Sequence, residues 1–82
     1  MNEKELQIAD RIKELLSANL GIDADVLDYE IALFGDEIGL DSIDSLEIIA
    51  AIDEEWGVQM TGVGKEHFYN VTSLAKYVAA NG

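Results

Sequence analysis

Leu6, Ala9, Ile12, Leu15 and Leu16 recur at spacings that keep them on one face of an α-helix. Asn2, with Glu5 three residues later, has the form of a capping box. Asn19-Leu20-Gly21 supplies a stop, since glycine readily takes the left-handed conformation found at helix C-termini. The pattern predicts a first helix from about residue 3 to residue 18. Residues 22 to 40 then carry apolar anchors (Ile22, Val26, Leu27, Ile31, Leu33, Phe34, Ile38, Leu40) with no sustained period. A connection this long is expected to be packed over the helices by its own side chains.

The second helix has the clearest pattern. Asp41 or Ser42 can cap it, Asp44 and Ser45 are available to bond back to free amides, and nothing interrupts it before Gly57. Its apolar residues fall in two arcs. Ile48, Ile49, Ile52 and Trp56 make a bulky stripe suited to a core. Ile43, Leu46 and Ala50 lie on an adjacent face, interleaved with Asp44, Glu47, Asp53 and Glu54. That second arc reads either as a partner-binding strip rimmed by carboxylates or as the edge of a wide core face. After a loop over residues 57–64, Lys65 to Tyr69 can form one short helical turn. Asn70 or Thr72 then caps a last helix carrying Val71, Leu74, Ala75, Tyr77 and Val78. No alternating run predicts a strand. The expected fold is all-α: a small four-helix bundle of three main helices and one short helix, with a long loop between the first and second.

Composition narrows the function. Eighty-two residues make one small domain, and 49% hydrophobic content is too high for a disordered chain despite a net charge of −12. Seventeen acids oppose five Lys and Arg, and 13 of those acids fall between Lys13 and Lys65, an interval with no basic residue. Such a chain cannot supply the basic footprint that nucleic acid requires, and a one-signed field favours encounter with cationic partners. No segment reads as a membrane span or a basic interfacial helix, and Met1-Asn2-Glu3-Lys4-Glu5 has no apolar leader, so a cytoplasmic protein is expected. With no cysteine, neither a disulfide nor a thiolate metal site is available.

Enzyme chemistry lacks parts. His67 is the only histidine, and beside Phe68 and Tyr69 it reads as a packed or surface residue. There is no G-x-S-x-G elbow and no phosphate-binding G-x-x-x-x-G-K-[ST] loop. Asp23-Ala24-Asp25 hints at calcium but lacks the mid-loop glycine and closing glutamate of an EF-hand, so no metal site is assigned. One constellation stands apart: Gly39-Leu40-Asp41-Ser42-Ile43-Asp44-Ser45-Leu46-Glu47, which sets a hydroxyl between a long loop and a strong helix. Taken alone, Ser42 reads as an N-cap.

Gly39-Leu40-Asp41-Ser42-Ile43 followed by an acidic amphipathic helix resembles the acyl carrier proteins, marked by Gly-x-Asp-Ser-Leu. The likeness runs over nearly the whole chain, through Leu20-Gly21-Ile22, Phe34 and Asn70-Val71 to Tyr77-Val78. The resemblance implies a monomeric single carrier domain over residues 1–82, without catalytic residues of its own. It implies that Ser42 bears a covalent 4'-phosphopantetheine taken from coenzyme A by a phosphopantetheinyl transferase. Acyl groups would then be carried as thioesters to ketosynthases, acyltransferases or other enzymes with basic docking patches, in fatty-acid, polyketide or related lipid synthesis. A D-alanyl or aminoacyl carrier fits the same motif, and an unmodified acidic interaction module fits the residues alone. Carried over by position, Asp41, Ile43, Asp44, Leu46, Glu47, Ala50, Asp53 and Glu54 form the recognition face. Phe34, Ile48, Ile49, Ile52, Leu74 and Val78 line an acyl-chain pocket. At Ser42 a phosphodiester is expected to lie against unpaired amides of the helix N-terminus, with Asp41 and Asp44 turned outward. The chain departs from the family pattern at Ile43 for Leu, at Thr61 for a usual proline, at Gly62-Val63-Gly64, and in the aromatic Lys65 to Tyr69 stretch. Residues 31–38 also run one residue longer than in the common fatty-acid carriers. These departures favour a dedicated pathway.

Overall fold

The computed structural model describes the whole chain, Met1–Gly82. It contains three α-helices and no strand: α1 (Glu3–Leu20), α2 (Ser42–Trp56) and α3 (Val71–Asn81). The short helix expected near residue 65 is a 3-10 turn over Lys65–Phe68, so the bundle has three α-helices rather than four. The five residues between Gly64 and the Asn70 cap leave no room for an α-helix with sustained i to i+4 bonding.

Each α-helix begins on a side chain that accepts from one or two of its free amides. Asn2 accepts from the Glu5 amide at 2.8 Å while Glu5 accepts from the Asn2 amide at 3.1 Å, completing the capping box. Asn70 caps α3 by accepting from Ser73 at 2.8 Å, and Asp41 caps α2. At the other end, α1 extends to Leu20, two residues beyond the spacing-based boundary. Gly21, at φ 68°, ends the helix by donating to the Ser17 carbonyl.

The core joins all three helices. Ile8, Ile12 and Leu16 of α1 meet Ile48 and Ile52 of α2 and Leu74 and Val78 of α3, all buried in one cluster. Residues 21–41 have turns but no regular helix or strand, and they send Leu27 and Leu33 fully into that cluster. Backbone bonds fasten this segment from the C-terminal side: Leu33 donates to Tyr69 at 3.0 Å and Thr72 donates to Tyr29 at 3.1 Å. Tyr29 also donates its hydroxyl to Asp10 of α1, which holds that phenol proton above its ordinary range. Gly39, at φ 72°, then bends the chain into α2, a conformation that a side chain would strain.

The few cations of α1 are spent on the fold. Lys4 donates to the Ala79 carbonyl at 3.3 Å, joining the start of α1 to the end of α3. Arg11 grips Glu55 of α2 with two bonds of 3.0 Å. Those hydrogen bonds, with the charge of Arg11, hold the Glu55 carboxyl below its usual range. The Lys13 ammonium sits 4.5 Å from the centre of the Tyr29 ring, a cation–π contact. No buried side-chain polar atom lacks a partner, and the radius of gyration is 11.3 Å. A compact chain of this length is expected near about 11.7 Å, so the strong negative charge has not expanded the molecule.

Candidate functional site

The site grows from the N-terminus of α2. Asp41 stands as the N-cap, and one of its oxygens accepts from the amides of Ile43 at 2.9 Å and Asp44 at 3.1 Å. The Asp44 carboxylate in turn accepts from the Asp41 amide at 3.0 Å, and the Ser45 amide donates to the Asp41 carbonyl at 3.3 Å. This corrects the expectation that an anion at Ser42 meets free helix amides. Two carboxylates of the chain itself already occupy the amides of Asp41, Ile43 and Asp44 and leave only the Ser42 amide open, because a capping box satisfies most of the donors that the start of a helix exposes. Asp41 and Asp44 are therefore built into the helix start, each with one carboxylate oxygen left unbonded.

Two serines lie in this first turn, and their hydroxyls differ. Ser45 is half-buried and donates to the Ser42 carbonyl at 2.6 Å. Ser42 is exposed, and its hydroxyl makes no hydrogen bond within the protein. The free hydroxyl opens onto a cleft of about 520 Å³. Phe34, Leu40 and Ile49 line the cleft together with Met60, Val63, Phe68 and Tyr69. Lys65 is the one basic residue on its lining.

The outward arc of α2 has a definite place. Ile43 is 71% exposed and Leu46 63%, and Ala50, Glu47, Asp53 and Glu54 are exposed with them. Exposure decides against a widened core face. The six residues named for an acyl pocket separate into two groups. Phe34 and Ile49 border the cleft, whereas Ile48, Ile52, Leu74 and Val78 are at most 1% exposed and packed in the core. They do not line the cleft that opens beside Ser42. The walls that spacing missed come from residues 60–69, where the only signal was the departure of Gly62-Val63-Gly64 and Lys65 to Tyr69 from the family pattern. His67 is half-buried, with its ring centroid 5.0 Å from that of Tyr77. Asp23, the calcium hint, accepts from the Asp25 amide at 3.0 Å within its own turn.

Residues 10–79 match the family model described as phosphopantetheine attachment site. The chain belongs to that family. Its members carry a covalently attached 4'-phosphopantetheine and serve as carrier domains rather than catalysts. A carrier of this kind works with phosphopantetheinyl transferases and with biosynthetic enzymes generally. The residues present fit such a group: an unbonded hydroxyl to accept it, and beside that hydroxyl a largely apolar cleft with one cation. No helix of this carrier domain is long and apolar enough to cross a membrane.

Proposed function

We propose that the protein is an acyl carrier whose Ser42 hydroxyl receives phosphopantetheine from coenzyme A, and that it delivers acyl groups within fatty-acid, polyketide or related lipid synthesis. In the loading step the Ser42 oxygen attacks the pantetheine-bearing phosphorus of the coenzyme A pyrophosphate. The new Ser42 O–P bond replaces the bond to adenosine 3',5'-bisphosphate, which leaves, and the hydroxyl proton passes to a base on the transferase. Once attached, the group supplies a terminal thiol on which acyl groups ride as thioesters, so the lack of cysteine in the chain is no obstacle. Ser42 stays accessible because the cap of α2 is Asp41, which leaves the serine hydroxyl without a structural task.

The observation that carries this reading is that unbonded, exposed hydroxyl in a chain of the phosphopantetheine attachment family. Ile43, Leu46 and Ala50, rimmed by Glu47, Asp53 and Glu54, supply the docking face next to it: apolar contact for affinity, and charge for orientation and on-rate. The test is to incubate the protein with coenzyme A and a broad-specificity phosphopantetheinyl transferase and weigh the intact product. A gain of one phosphopantetheinyl group that disappears in Ser42→Ala is expected. No gain, or a gain that survives the substitution, would sink the assignment and leave an unmodified interaction module as the reading.

A further inference from the structure

Lys65 stands apart from the other cations. Lys4, Arg11 and Lys13 each have a partner within the fold, as described above, whereas Lys65 and Lys76 make no ion pair or hydrogen bond. In a chain with 17 acids, a lysine with no carboxylate within ion-pair distance is left available. Lys76 is exposed on α3 and does not line the cleft, whereas Lys65 lines the same cleft as Ser42. It comes there from 23 positions downstream, brought by the 3-10 turn that it begins.

The electrostatics of the site create a need for that charge. A phosphodiester on Ser42 adds an anion between Asp41 and Asp44 in the chain, whose carboxylates hold all but one of the amides that would otherwise receive it. Like charges this close along the chain repel, and the α2 dipole with the one open amide, that of Ser42, is the favourable term the helix itself offers. We propose that the Lys65 ammonium is the counter-charge for the phosphodiester on Ser42, holding the first part of the arm along the cleft instead of leaving it to swing free. The pairing rests on the Ser42 reading and adds a positioning residue to it. Lys65 thereby sets how often the arm lies against Val63, Phe68 and Tyr69 rather than in solvent.

An exposed ion pair shifts such a population by up to about five-fold at low salt. The experiment loads wild type, Lys65→Gln, Lys65→Arg and Lys76→Gln with unacylated phosphopantetheine and verifies each by intact mass. It then records the phosphorus resonance and the amide resonances of Gly62, Val63 and Lys65 in apo and holo forms, at low and high salt. Holo-dependent shifts that shrink with salt are expected in wild type, Lys65→Arg and Lys76→Gln, and their loss is expected in Lys65→Gln. Removing the Lys65 side-chain charge breaks no contact within the fold, so the amide spectrum away from the cleft should stay in place. If the mass gain occurs but Lys65→Gln gives the same shifts and salt response as wild type, the pairing is wrong while the Ser42 reading stands. If Lys76→Gln loses the shifts equally, net charge rather than position is responsible, and the pairing is again overturned. No mass gain on Ser42 removes both.

Discussion

At the scale of single residues, the start of α2 assigns different work to neighbours that look interchangeable in sequence. Asp41 holds two amides, Asp44 closes the box, Ser45 bonds back to the chain, and Ser42 alone of the four makes no side-chain hydrogen bond. The accessibility of the serine thus depends on the aspartate before it. Replacing Asp41 with Ala is expected to lower unfolding stability by about 1 kcal/mol, read as a drop in urea midpoint, whereas Asp41→Asn should cost far less because its amide oxygen still caps. Equal losses for both would mean that the negative charge against the helix dipole, not the cap bond, is what matters. The capping role was half legible: the residue types offered Asp41 or Ser42, and backbone geometry chose. Asp41 has the extended conformation of a cap, and Ser42 opens the helix.

Among the elements, α2 divides its surface between two tasks. Ile48 and Ile52 enter the core, and the Arg11–Glu55 pair fixes the helix against α1, which leaves Ile43, Leu46 and Ala50 outward among carboxylates. Changing Glu47, Asp53 and Glu54 together to Lys should slow transfer by partner enzymes and flatten its dependence on ionic strength, with helical content by circular dichroism nearly unchanged. Unaltered rates and salt slopes would move recognition off this face. All three positions are exposed and outside the Arg11 contact, so fold damage is not expected to mimic the effect. The helices themselves were readable because caps and 3.6-residue spacing are local signals. The 3-10 turn was less so, since a four-residue stretch carries too little periodicity to distinguish one helical form from another.

For the whole molecule, a net charge of −12 is confined to an envelope of 29 × 26 × 21 Å. Few ion pairs offset it, so self-repulsion should weigh on stability. Added sodium chloride shortens the screening length from about 10 Å at 0.1 M to about 3 Å at 1 M, and the melting temperature is expected to rise over that range. A flat or falling curve would mean that the Arg11–Glu55 and Lys13–Tyr29 contacts outweigh the repulsion. The sequence by itself determined the helical class, the Asn2 cap of α1, the inward stripe of α2 and the serine to examine, because each of these rests on signals local to one stretch of chain. It left open whether the second arc was core or surface, and it showed a middle of the chain without cations. Tertiary structure decided both. Packing buries only one arc of α2, and the chain returns after Gly57 to carry Lys65 into the cleft beside Ser42. A charge distant in sequence becomes local there, since electrostatic interaction falls with separation in space and takes no account of separation along the chain.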